Sequence, residues 1–205
     1  AAEARIAARF GYPVAVGSGT PEGAADAANR LLDQGVNALV SFGLAGGLHP
    51  AVRPGAILIP VSVQAGDTVY PTDPILAARF GGLTAHRLVA GTAVAAGAAA
   101  KQHLYAATQA HAIDLESGGV GRVAHDRGVP FVVVRAISDP AEQDLPPAAL
   151  QALDGQGRIA VIRVLSSLVH HPSQLPALLR LASGAARARR ALLALTRRGL
   201  SAPPE

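Results

Sequence analysis

Residues 131–140 read FVVVRAISDP. The first seven are almost continuously apolar and rich in β-branched side chains, and the run stops on a serine, an aspartate and a proline. An apolar run without alternation is the mark of a strand covered on both faces, as in a parallel sheet sandwiched between helices. A strand over 130–137 is therefore predicted, with Ser138 and Asp139 at its carboxyl end. A second stretch repeats the arrangement. HAIDLESGGV, at 111–120, gives a strand over 112–115 that ends on Asp114 and Glu116. These two acids leave the strand on one face with Leu115 on the other.

Working outward, apolar runs alternate with helical patterns. Strands are expected over 13–16, 37–42, 56–63 and 87–94. Thr20 caps a helix that has Pro21 in its first turn and ends near Gly35. Helices follow over Ala98–Thr108 and Ser117–Arg127. From Pro146 the pattern is helical to about residue 199, with interruptions at Pro172, Pro176 and Gly184. Alternation of strands and helices implies one α/β domain over 1–205, its sheet covered on both faces. In such sheets ligands bind at the carboxyl ends of the strands. Glu116, Asp139 and the Gly-rich stretch 43–47 all fall there.

Composition bounds the function. The 205 residues are 50% hydrophobic but only 3% aromatic, which suits closely packed α/β layers and excludes a disordered chain. There is no cysteine, hence no disulfide and no thiolate metal site. No run reaches the roughly 20 apolar residues that span a bilayer, and the N-terminus lacks the plan of a secretory signal, so a cytoplasmic protein is expected. The net charge of +4 and pI of 10.3 would fit nucleic-acid binding if the charge were spread over one surface. Instead six of the 18 basic residues, from Arg180 to Arg198, crowd the C-terminal end, and the body is near neutral.

Each motif has a plain alternative. Gly43–Gly47 fits a backbone that approaches a ligand closely, and equally a tight strand-to-helix turn. Gly17-Ser18-Gly19 lacks the spacing and lysine of a phosphate loop and reads as a turn. Glu116 suits a sugar diol or the dipole of the next helix. Asp139 suits a general acid oriented by Ser138 or a turn before proline. Histidines have no ligand spacing, so no metal site is predicted. Arg53 and Arg87 are the candidates for binding phosphate, against simple surface solvation.

Together FGLAGGL (42–48), IDLES (113–117) and FVVVRAISD (131–139) resemble the purine nucleoside phosphorylase and nucleosidase superfamily in order and spacing. KQHLYAATQAHAIDLES (101–117), YPTDPILAARF (70–80), LPPAAL and QLPALLRLA are similar to its hopanoid-associated phosphorylases. The resemblance implies a three-layer α/β/α fold with a central twisted mixed sheet. It also implies removal of adenine from an adenosine-type nucleoside, adenosylhopane in the hopanoid branch. A hydrolytic nucleosidase for methylthioadenosine or adenosylhomocysteine, and a non-catalytic nucleoside-binding protein, are the alternatives.

On that resemblance Asp139 protonates N7 of adenine, and Glu116 holds the ribose 2′- and 3′-hydroxyls with Leu115 beneath the sugar. Ala45 and Gly46 line the pocket, and Asp114 and Ser138 flank the two acids. Glu3 activates the nucleophile, although the family's strand and glycine before that glutamate are missing here, so the first strand of the fold is expected to be absent. No cofactor is implied beyond inorganic phosphate as a co-substrate, and a homodimer is expected. Asp139→Asn is expected to leave the fold nearly intact. Residues 175–200, with arginines on one helical face and leucines on another, fit either a helix packed on the core or one lying at an anionic membrane surface.

Overall fold

The computed structural model describes residues 2–147, 149 and 172–198. In chain order the elements are α1 (Ala2–Ala7), a 3-10 turn (Ala8–Phe10), α2 (Pro21–Asp33), β1 (Leu39–Gly47), β2 (Ile57–Leu58), β3 (Pro60–Ala65), β4 (Thr68–Pro71), α3 (Pro74–Ala78), β5 (Ala85–Ala90), α4 (Ala98–Thr108), β6 (Ala112–Asp114), α5 (Ser117–Arg127), β7 (Phe131–Asp139), a second 3-10 turn (Pro172–Gln174) and α6 (Leu175–Arg198). The helix expected between 146 and 171 lies almost wholly outside the described residues.

The strands form one mixed sheet in the order β2-β7-β1-β6-β5-β3-β4. Parallel pairs join β1 to β7, β3 to β5 and β5 to β6, while β1–β6, β2–β7 and β3–β4 run antiparallel. The mixed α/β architecture expected from the resemblance is present.

The strand at 131–140 organises both layers. Phe131, Val133 and Ile137 pack with Ala24, Ala25 and Ala28 of α2 and Val123 and Ala124 of α5. Val132, Val134 and Ala136 pack on the opposite face with Ala77, Phe80 and α6 residues Ala188 and Leu192. Seven successive buried residues, Phe131 to Ile137, are what a strand with helices on both sides requires.

Several elements differ from expectation. Residues 13–17 form no strand; Val14 and Val16 are exposed, and β1 has its neighbours in β7 and β6 instead. The strand expected over 56–63 is broken into β2 and β3, because the Ile59 amide turns to Thr84 Oγ1 at 2.9 Å and its carbonyl accepts from the Thr84 amide at 2.9 Å. Beyond β3 the chain reverses at Gly66 (φ +59) into β4, a hairpin the periodicity did not announce. The strand expected at 87–94 is shifted to Ala85–Ala90.

The capping of α2 by Thr20 holds, its Oγ1 accepting from the Gly23 amide at 3.1 Å. Gly184 does not interrupt α6, which runs unbroken from Leu175 to Arg198. Its missing side chain serves packing, since a Cβ there would overlap the Ser138 carbonyl oxygen. Small residues thus let α6 lie against the end of β7.

Candidate active site

The Gly-rich stretch 43–47 is strand rather than loop. Gly43, Leu44 and Ala45 stay in parallel register with Arg135, Ala136 and Ile137, and a bulge after Ala45 brings Gly46 opposite Asp139. On its other side Gly46 pairs with Ile113 of β6. The end of β1 therefore lies between the two strands that carry the acids. A cleft of about 1070 Å³ opens there, and Glu3, Ala45, Gly46, Asp114, Leu115, Glu116, Ser138 and Asp139 all border it.

Glycine in this stretch clears room for charged side chains. A Cβ on Gly43 would strike Arg135 Nη1, and one on Gly46 would come within 3.3 Å of Asp139 Oδ2. The close approach expected of this motif is thus made by the protein's own side chains.

Arg135 interrupts the apolar face of β7 and is 1% exposed. A buried guanidinium must be paired and hydrogen-bonded, and here it is ion-paired at Nε and hydrogen-bonded through both Nη atoms. Its Nε lies 2.6 Å from Asp114 Oδ2. Nη2 donates to Ser41 Oγ at 2.8 Å and Ser117 Oγ at 3.1 Å, and Nη1 donates to Glu116 Oε2 at 3.3 Å. Asp114 also accepts from Ser117 Oγ at 2.5 Å and from the Ser117 amide at 3.0 Å.

Asp114 thus caps α5 and anchors Arg135, and its side chain is buried. Glu116 is different. Its carboxylate keeps 28% of its surface and is steadied from the other side by the Gly19 amide, which donates to Oε1 at 3.1 Å. The Gly17-Ser18-Gly19 turn, with Ser18 and Gly19 at φ +59 and +74, is a turn as expected, and it serves to hold Glu116.

Asp139 has a comparable support. Ser138 Oγ donates to Oδ1 at 2.6 Å, and Lys101 Nζ lies 2.5 Å from Oδ2. Lys101 projects from α4, is 1% exposed, and donates as well to the carbonyls of Pro140 at 2.9 Å and Gln143 at 3.0 Å. Sequence reasoning missed both cations. Arg135 could have been found as a lone charge within a buried strand. Lys101 sits in an alanine-rich helix, and nothing in its neighbours distinguishes it from a solvated lysine.

Glu3, on α1, borders the cleft but is engaged by Arg189 of α6, whose Nε donates to Oε1 at 2.7 Å. Arg53 and Arg87 do not border the cleft. Arg53 pairs with Glu142 at the surface, and Arg87 donates to Gln64 Oε1 at 3.1 Å. Among the described residues no group of three or more His, Asp or Glu side chains could hold a metal ion.

The family model described as Phosphorylase superfamily matches residues 75–170, which include β6, α5 and β7. That match spans 96 of the 205 residues, just under half of the chain. Among solved structures, the 5′-methylthioadenosine/S-adenosylhomocysteine nucleosidase of Helicobacter pylori, crystallised with butyl-thio-DADMe-Immucillin-A, superimposes with a TM-score of 0.59 at 16% identity, covering 87% of this chain and 76% of that one. The S-adenosylhomocysteine nucleosidase of Streptococcus pyogenes, in complex with 5-methylthiotubericidin, gives 0.59 at 17% identity, with 87% and 75% covered. Futalosine hydrolase of H. pylori gives 0.57 at 16% identity, with 87% and 76% covered. At these identities the shared property is the fold.

Proposed function

We propose that this protein cleaves the N-glycosidic bond of an adenosine-type nucleoside. The observation that carries the reading is the placement of two unlike acids, Asp139 and Glu116, on either side of the end of β1 in one cleft, each held by a separate buried cation. Asp139 is the general acid that protonates N7 as the C1′–N9 bond breaks. A positioned acid of this kind contributes about 10²–10⁴ in rate. Glu116, partly open to the cleft, receives the ribose 2′- and 3′-hydroxyls, with Leu115, Ala45 and Gly46 shaping the pocket. Glu3 directs the nucleophile, water or phosphate, with Arg189 fixing its carboxylate.

The finer reading is release of adenine from adenosylhopane. It is supported by the motif resemblance and by the apolar side chains of Val14, Val16, Phe42 and Leu44 along the same cleft, which suit a bulky apolar 5′-substituent. A homodimer belongs to the same proposal, and a peripheral contact of α6 with an anionic membrane is the alternative to a helix packed on the core. Among the described residues no helix is long and apolar enough to cross a membrane. Leu192 of α6 is buried and Leu195 packs against the same cluster, which favours a packed helix with a solvated arginine face.

The test is incubation of the purified chain with adenosylhopane and with 5′-methylthioadenosine, with and without inorganic phosphate, followed by quantification of adenine and the sugar product. Phosphate-dependent release from the hopanoid is the expected result. Release from 5′-methylthioadenosine alone, yielding a free sugar without phosphate, selects the hydrolytic alternative, and binding of nucleosides without release of adenine from either overturns catalysis.

A further inference from the structure

An acid that is to protonate a leaving group must hold a proton, yet the carboxyl of Asp139 lies 2.5 Å from a buried lysine ammonium. Lysine and aspartate together share one mobile proton, which resides on the amine or on the carboxyl. The surroundings of Lys101 accommodate both arrangements. As an ammonium, its three N–H groups are satisfied by Asp139 Oδ2, the Pro140 carbonyl and the Gln143 carbonyl. As a neutral amine, its two N–H groups keep the two carbonyls while its lone pair accepts from the protonated Asp139. No hydrogen bond is lost in the transfer. Lysine, unlike arginine, can give up its proton when buried.

We propose that Lys101 is the proton source for Asp139, so that the acid of the cleft is a Lys101–Asp139 dyad. This rests on the reading of Asp139 as the general acid. An N–H bond of the Lys101 ammonium breaks as the Oδ2–H bond of Asp139 forms, and that proton passes to N7 while the C1′–N9 electron pair moves into the purine. Adenine leaves neutral, with the lysine as a free amine and the aspartate as a carboxylate. The water or phosphate that captures C1′ releases the proton that restores the ammonium. Lys101 acts through Asp139 and is a positioning residue.

The test compares the parent with Lys101→Met, Lys101→Arg, Asp139→Asn and the double variant Lys101→Met/Asp139→Asn. Adenine release from adenosylhopane and from 5′-methylthioadenosine, with phosphate present, is followed from pH 5 to 9, with folding checked by thermal melts. Lys101→Met should slow release at pH 7 by about 10² and move the alkaline limb of the kcat/KM profile toward acid, because Asp139 must then carry its own proton. Lys101→Arg keeps the positive charge but holds its proton, so it should not restore the rate.

The double variant removes both charges and so leaves no unpaired buried ion. It should be no more than about threefold slower than Asp139→Asn, since groups acting as a unit are not additive. Full activity in Lys101→Arg, a Lys101→Met profile reduced equally at every pH, or a further hundredfold loss in the double variant would each overturn the proposal. If Asp139→Asn is as fast as the parent, the assignment of Asp139 itself fails, and the dyad with it.

Discussion

Glu116 receives the Gly19 amide on Oε1 and both Nη atoms of Arg135 on Oε2, and the exposed part of its carboxylate is what a diol can reach. Glu116→Ala should therefore weaken a riboside more than the matching 2′-deoxyriboside. Losing a hydrogen bond to a charged acceptor costs about 1.5–3 kcal/mol, or roughly 10- to 150-fold. Measuring kcat/KM for the pair of substrates checks this, and equal losses would make Glu116 a support for Arg135. At Asp139 the structure changes what the sequence leads one to expect. By that expectation Asp139→Asn leaves the fold nearly intact; as the partner of a lysine that is 1% exposed, Asp139 does not tolerate the change. Breaking one side of a buried pair costs about 3–5 kcal/mol. Asp139→Asn should lower the melting temperature as well as the rate, and the double variant with Lys101→Met should recover part of the loss in stability.

Helices α4 and α5 coincide with the residues expected from the sequence, because capping and turn residues bracket them: Gly97 and Gln109 around one, Glu116 and Gly128 around the other. The segment at 13–16 reads as a strand and is none, because alternation of Pro, Val and Ala carries no information about whether a strand partner exists. Gly184 was misread for the opposite reason, since a glycine that weakens a helix and one that permits contact look alike in sequence. In an exposed helix Gly→Ala is favourable by about 1 kcal/mol. Here the added Cβ meets the Ser138 carbonyl oxygen, so Gly184→Ala should instead destabilise by about 1–3 kcal/mol, read as a lower melting temperature. The junction of β1 and β6 gives a pH prediction. The His111 carbonyl accepts from the amides of Leu48 at 2.9 Å and His49 at 3.2 Å, and its ring stacks on His49 at 5.1 Å. Burial, then the nearby His49 and His86, hold His111 below its ordinary value of 6.5. The unfolded chain therefore binds this proton more readily, so the contribution to stability is full above about pH 6.5 and declines as pH falls below it. Thermal melts at pH 7.5 and 5.5 should show a larger drop for the parent than for His111→Phe; equal drops would remove His111 from the account.

At the scale of the whole molecule, the alanine and glycine content becomes intelligible as spacing. α2 presents Ala24, Ala25 and Ala28 to the core, and a Cβ on Gly119 of α5 would collide with the Pro21 carbonyl of α2. The two helices approach closely over the sheet, and the turn at residues 17–19 is brought within reach of Glu116. The layers and the acid-bearing strand ends were legible because hydrophobic runs report burial directly. The cations that fix those acids were not, because their partners are distant in sequence: Arg135 reaches Ser41, and Lys101 reaches Asp139. That concealment has a consequence for ionic strength. The exposed pairs Arg127–Asp33 and Arg122–Asp126 lie where mobile counter-ions gather, and their attraction fades within a Debye length of about 10 Å at 0.1 M salt. Lys101–Asp139 and Arg135–Asp114 are shut away from those ions. Raising sodium chloride from about 0.05 to 0.5 M, a range over which exposed pairs are progressively screened, should leave the rate of adenine release from an uncharged nucleoside nearly constant. A steep salt dependence would mean that electrolyte reaches the dyad, and that the cleft opens far more widely in solution than its packing implies.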